Sequence, residues 1–371
     1  MKLLCAALLT TLPLSVFAYN LSENFSVEGT ITSVFQHGAF SDTNIKDTTR
    51  GTVVTDITTN YRPTNQDELE LLVSFASGDS LNDISPFSTP AYADDLEDDL
   101  EDINGRGRDY VLTAWYKHTF MISENTSFGL TAGIIDATEY VDDNTFANDE
   151  VSQFMNEIFV NNTLFVPPSY DAGIVGELEF AENWSLKGTW MNSKNVDRTV
   201  EEENGLDRTY NYYAGQLGFH PKLAYGQGNY RLMAYATSND FADSDGTGTK
   251  NIHGLNLSLD QELGETFGMF ARFAWQDDDA GVDHDEFYTS GLWVNGSLWG
   301  RPNDEAGFGY AYLEGTNDSI NDTDALEGYI KFQLFDHADI SFDVQYVDQE
   351  TDNEEDDPYG FIYGIRLNAY L

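Results

Sequence analysis

Cysteine is all but missing: Cys5 is the sole one in 371 residues, which excludes a disulfide scaffold and any cysteine metal centre. Basic residues are scarce, with 18 Lys and Arg against 64 Asp and Glu and a formal net charge of -46. A chain so acidic does not bind nucleic acid by neutralising phosphates. Long apolar runs are lacking as well. Beyond Ala18 no stretch approaches the roughly 18 residues that a spanning helix needs, so no helical membrane anchor is expected. Only 9 prolines occur, and after Pro13 all of them lie at segment ends or in connections, where a missing N–H breaks no ladder bond. Signatures of catalysis are absent too. His37, His118, His220, His253, His284 and His337 are scattered without metal-ligand spacing, and there is no G-x-S-x-G elbow, phosphate loop or dinucleotide fingerprint. Carboxylate pairs are so abundant that no two of them single out a glycosidase. The expectation is a protein that is not an enzyme and carries no metal or cofactor.

What is present is aromatic and periodic. Phe, Trp and Tyr make up 14% of the chain and Gly numbers 31, too much apolar surface for a disordered acidic polymer. Residues 1–18 read as a signal peptide: Lys2, an apolar run from Leu3 to Leu14, then small residues around Val16-Phe17-Ala18. Its removal would take Cys5 with it. Residues 19–371 then alternate with period two from end to end. Leu69, Leu71, Val73 and Phe75 oppose Glu68, Glu70 and Ser74. Leu255, Leu257 and Leu259 oppose Asn256, Ser258 and Asp260, and Ile340, Phe342, Val344 and Tyr346 oppose Asp339, Ser341 and Asp343. Such segments, about ten residues long, are strands with one dry and one wet face, the length a tilted strand needs to cross a bilayer. They number about sixteen, give or take two, since segment boundaries are soft.

Aromatics gather at the segment ends, at Tyr61, Tyr110, Tyr116, Phe120, Trp184, Trp190, Tyr310, Tyr312, Tyr359, Phe361 and Tyr370, as the two girdles of a barrel in lipid do. The competing arrangement, a sandwich with an aromatic core, explains less well the final segment, where Phe361, Tyr363, Ile365, Leu367 and Ala369 alternate with Gly364, Arg366, Asn368 and Tyr370 up to Leu371. The predicted fold is therefore all-β: a transmembrane antiparallel barrel of about sixteen strands. The acidic runs Asp94 to Asp102, Asp277 to Glu286 and Asp348 to Asp357 read as solvated connections, the first within an acidic loop over 79–106. Binding of divalent cations near lipopolysaccharide is the alternative, and Asp243-Ser-Asp245-Gly246 is only half a calcium loop. One stretch is not β: from Asn148, a plausible cap, Val151, Phe154, Met155, Ile158 and Phe159 follow helical spacing. In a barrel this helix-bearing loop, 137–168, is best placed in the lumen, as a constriction; the alternative is a helix lying over the rim.

Gly133-Ile-Ile-Asp136, Asp143-Asn-Thr-Phe-Ala-Asn-Asp149 and Gln153-Phe-Met-Asn156 together resemble a stretch of the carbohydrate-selective porins of the OprB type. Gly228-Asn-Tyr-Arg231, Ser258-Leu-Asp-Gln-Glu262, Phe270-Ala-Arg272, Ser290-Gly291 and Gly300-Arg-Pro-Asn-Asp304 extend the likeness from about Tyr110 to the closing strand. The resemblance implies a sixteen-stranded barrel in the outer membrane of a Gram-negative bacterium, which passes sugars and other small hydrophilic solutes and has an inward-folded loop. Its partners would be sugars, outer-membrane lipid and lipopolysaccharide, with monomer or homo-oligomer left open. In such a barrel the wet faces line the channel. Strand phase places Arg231, Met233 and Tyr235 inward on one strand and Phe270, Arg272 and Gln276 on another. Glu177, Glu179, Lys187, Asp260, Lys331, Asp343 and Arg366 point inward by the same rule. Guanidinium groups donating to hydroxyls and rings against C–H faces would suit neutral sugars, above all at Arg231 and Arg272. Two other readings of the same residues are a secreted soluble protein that binds or degrades polysaccharide, and a non-conducting structural barrel.

Overall fold

The computed structural model describes residues 19–101, 103, 108, 110–164, 167–194, 209–238, 241–244, 248–317, 320–351 and 357–371. The expected signal peptide, and Asp102, Asp245, Gly246 and 352–356 of the acidic stretches, lie outside the described residues. Eighteen hydrogen-bonded strands make one sheet, and two of them, Tyr19–Ser22 and Lys222–Leu223, are short pieces. The remaining sixteen are the staves of a closed barrel. In chain order they are β1 (Phe25–Ser41), β2 (Thr48–Tyr61), β3 (Asp67–Ser77), β4 (Val111–Ser123), β5 (Thr126–Ile135) and β6 (Asp171–Phe180). Next come β7 (Trp184–Lys194), β8 (Thr209–Phe219), β9 (Gly226–Thr237), β10 (His253–Leu263) and β11 (Phe267–Gln276). The last are β12 (His284–Asn295), β13 (Glu305–Asn317), β14 (Ile320–Phe335), β15 (Ala338–Glu350) and β16 (Tyr359–Tyr370).

Each strand pairs antiparallel with the next, and β16 closes the ring on β1 from Thr30↔Tyr370 to Ser41↔Tyr359. Closure removes the unpaired edges that an open sheet would expose, a necessity where no water is available to satisfy them. Connections alternate in length. Turns such as 124–125, 181–183, 264–266 and 336–337 lie at one end, whereas 78–110, 136–170 and 238–252 lie at the other.

Side-chain alternation follows the sequence. On β16, Phe361, Tyr363, Ile365 and Leu367 are exposed on the outer surface while Ile362, Arg366 and Asn368 are buried inside. Rings meet at both rims: Trp184 and Phe219 lie 4.6 Å apart at the short-turn end, and Tyr346 and Phe361 5.0 Å apart at the long-loop end. Two of the expected girdle residues belong elsewhere. Tyr370 turns inward and donates to Asp339 Oδ2 at 2.7 Å, and Tyr110, at a left-handed φ of 65°, packs beside a small buried cluster of Leu100, Ile103 and Leu112.

The apolar core lies inside the barrel, between its wall and the two long loops. Leu81, Phe87 and Ala91 of the first loop join Phe146, Phe154, Ile158 and Phe159 of the second and Phe270, Phe287, Trp293 and Tyr329 of the wall. Burying each such ring contributes about 1.5–3 kcal/mol. The expected helix is corrected in extent: only Glu157–Val160 is helical, capped by Asn156, whose side chain accepts from the Ile158 N–H. The preceding Asp149 carboxylate instead closes a turn by accepting from the Val151 and Ser152 N–H groups. Wall contacts, not the period of the loop itself, set the positions of Val151, Phe154 and Met155. The first acidic run is also only partly solvated, since Leu96 and Leu100 are buried and Glu97–Glu101 forms a helical turn.

Candidate pore and its infolded loop

The segment 136–170 is held inside the barrel by side chains projecting from the far arc of the wall. Arg272 on β11 is fully buried and donates to the Phe159, Val160, Ala147 and Asp142 carbonyls at 3.0, 3.2, 2.6 and 3.2 Å. Its Nε also lies 3.3 Å from the Asp142 carboxylate. Arg366 on β16 donates to the Glu150 carbonyl and, at 2.9 Å, to that of Gln153. Glu327 on β14 accepts from the Met155 N–H and, at 3.0 Å, from the Asn156 N–H. Gln345 on β15 accepts from Asn156 at 3.1 Å and donates to Ala91 of the first loop at 3.0 Å. Asn368 donates to the Val151 carbonyl at 2.7 Å. These donors and acceptors replace the water that irregular backbone would otherwise need.

Small residues on the wall make sockets for the loop. A Cβ at Gly268 would stand 2.3 Å from the Phe146 ring, and one at Gly309 2.6 Å from Phe159. Phe146 stacks on Trp293 at 5.3 Å, and Phe154 meets Tyr329 edge-on at 5.1 Å.

A charged bridge joins the loop to the wall at Asp143. Arg231 Nε lies 2.7 Å from Asp143 and its Nη1 2.6 Å from Asp260, while Lys187 Nζ is 3.8 Å from Asp143. Burial alone would raise the Asp143 carboxyl, but Lys187 and Arg231 outweigh it and hold the group at about 2. Asp94, on the first loop, is governed by burial, and the neighbouring Asp56 adds to it; the carboxyl is pushed up to about 7.

All eleven expected lining residues face inward, but they divide into two groups. Arg231, Tyr235, Asp260, Phe270, Arg272, Asp343 and Arg366 are buried, so contact with lumen water is corrected for them: they lie beneath the loop or beside it. Met233 and Gln276 share that environment. Lys331 is tied to Glu305 at 2.7 Å. Glu177, Glu179 and Lys187 keep partial exposure.

The open part of the lumen runs along the near arc, β2 to β4, joined by the short-turn half of β6 and β7 at Glu177 and Lys187. Inward Asp56, Thr58, Asn60, Glu70, Trp115 and Lys117 are half-buried there, in contrast to the buried inward face of β9 to β16. Lys117 pairs with Glu177, and Glu139 of the loop is exposed on the same side. Trp115, Lys117, Glu70 and Glu139 were not singled out from the sequence. The first three were within reach of it: the alternation that turns Tyr116 and Phe120 outward turns Trp115 and Lys117 inward. Glu139 lies in an irregular loop with no period to read.

The carbohydrate-selective porin, OprB family, model matches residues 98–369. A protein of Aquifex aeolicus (strain VF5) is 31% identical over 306 residues, which span 81% of this chain and 83% of that protein. The high-pH structure of Pseudomonas putida OprB superposes with a TM-score of 0.73 at 14% identity and covers 94% of both chains. Its low-pH structure gives 0.59 at 13% identity, covering 94% of this chain and 93% of that one. With the family model matched across most of the chain and the same closed barrel beneath it, the chain belongs to the carbohydrate-selective OprB family of outer-membrane porins, which are channels and not enzymes.

Proposed function

We propose that sugars cross this barrel along the near arc of the wall, β2 to β4 with Glu177 and Lys187 of β6 and β7, through a passage narrowed by the loop 137–168. The observation that carries the reading is a contrast in burial: inward residues are sealed from β9 to β16, and at Thr131, Ile135, Val175, Thr189 and Met191 of β5 to β7, but half-exposed at Asp56, Thr58, Asn60, Glu70, Trp115 and Lys117 of β2 to β4 and at Glu177 and Lys187 beside them. At the narrowing, Lys117, Lys187, Glu177 and Asp143 offer charge-assisted donors and acceptors to hydroxyls, and Trp115 a ring for a C–H face. Contacts of this kind stay weak one by one, as passage requires. Outside, the band of Phe, Leu, Ile and Val between the aromatic rims meets outer-membrane lipid, and the acidic long-loop end faces the lipopolysaccharide side.

The test is conductance in planar bilayers with added sugar. Wild-type channels conduct and are transiently blocked by saccharide, and Trp115→Ala weakens the block about two- to tenfold, the range of an aromatic contact of about 0.5–1.5 kcal/mol. Bilayers that stay electrically silent overturn the reading in favour of a structural barrel.

A further inference from the structure

The inward cations and the inward carboxylates meet different fates. Arg231, Arg272 and Arg366 are all buried, with their donors committed to loop carbonyls or to Asp143 and Asp260. Of the other inward bases, Arg50 is exposed at the long-loop end of β2, opposite Gln36, Lys331 is paired with Glu305, and Lys117, the more open of the two near-arc lysines at 27% exposure, is paired with Glu177. Lys187 is 14% exposed and leans toward Asp143. More carboxylates than bases are left facing the passage: Glu139 and Glu179 are exposed, and Glu70 and Asp94 are half-buried, while Asp143 is taken up by Arg231 and Lys187. They come from separate elements, namely β3, β6 and both long loops. Glu139 lies within electrostatic reach of Glu70 and Asp136, and Asp94 of Asp56 and Asp149. Burial and this crowding raise Glu139 to about 8 and Asp94 to about 7, so the surplus of negative charge on the wall side and on the loop side is fullest above pH 8.

From this distribution we infer that the passage discriminates by charge within the sugars: it admits uncharged saccharides and small cations and turns away sugar acids such as uronates. The inference rests on the passage proposed above and deepens it. A channel whose lining carries a surplus of one sign, with low-dielectric walls, concentrates its field where the solute must pass. A potential of about 2 kT, modest beside the several kT of one-signed clefts, lowers entry of a monoanion about sevenfold. The buried arginines set the asymmetry: the same loop that narrows the passage uses up the positive charge that would have balanced it.

The experiment compares entry of glucose and glucuronate into proteoliposomes at pH 9 and low salt, where Glu139 and Asp94 are ionised, with the reversal potential in a KCl gradient measured on the same preparation. Glucuronate should enter about sevenfold more slowly than glucose, and the reversal potential should show K⁺ passing in preference to Cl⁻. The double variant Glu139→Gln, Glu179→Gln should bring both ratios toward one. Equal entry of the two sugars, or preference for Cl⁻, overturns the inference while leaving sugar passage intact. If glucose itself fails to enter, the passage reading falls, and the sign of the reversal potential still decides the charge of the lumen.

Discussion

At the scale of single residues, the most consequential side chains are those that strand phase correctly turns inward and that the loop then covers. Arg272 is one. Its guanidinium satisfies carbonyls that no water reaches, and it neutralises the buried Asp142. Removing one partner of a buried pair costs about 3–5 kcal/mol, because the other is left as an uncompensated charge. Arg272→Ala should therefore release the loop while the barrel stays closed. The expected readout is a larger single-channel conductance and faster proteolysis within 136–170, with heat-modifiable barrel mobility unchanged. Gly309 makes the complementary case. A valine there meets the Phe159 ring within 2.6 Å of its first carbon, so Gly309→Val should also enlarge conductance, whereas Gly188→Ala, with only a backbone oxygen 4.0 Å away, should not.

At the scale of elements, the two long loops depend on pH in opposite directions. Asp143 is held at about 2 by Lys187 and Arg231, below its ordinary value, so its stabilisation is complete above about pH 4 and fades as pH falls toward 2. Asp94 is raised to about 7. Its neutral form suits the folded loop, so that contribution is complete below about pH 4 and is lost as pH rises through 7. Amide protection in the segment 78–110, measured against the base-catalysed intrinsic exchange rate at each pH, should fall between pH 5 and pH 7, while protection around Asp143 stays level over the same interval. A uniform change in both loops would contradict these assignments. The partial helix teaches the same lesson about elements: Asn156 caps a single turn, and the loop elsewhere takes its shape from Glu327, Gln345 and Arg366.

At the scale of the whole molecule, the charge of -46 acts in two places, on the long-loop rim and inside the passage. Salt separates them from steric effects. At 1 M salt the Debye length falls to about 3 Å, so the preference for glucose over glucuronate should shrink toward one while the glucose rate itself changes little. A preference that persists undiminished at 1 M salt would mean that shape, not field, sorts the sugars.

The barrel was legible from residue order alone: alternation of period two is a local property, and a one-residue slip would turn every apolar side chain into the lumen and every charge into lipid. Residue order likewise determined which way Arg231, Arg272, Glu177 and Lys187 point, and the motif Asp143-Asn-Thr-Phe-Ala-Asn-Asp149 carried the family. Which inward residues meet water follows from long-range packing instead. Whether Arg272 lines a channel or anchors a loop depends on contacts with Ala147 and Phe159 more than a hundred positions away, and no periodicity along β11 encodes what the loop between β5 and β6 places above it.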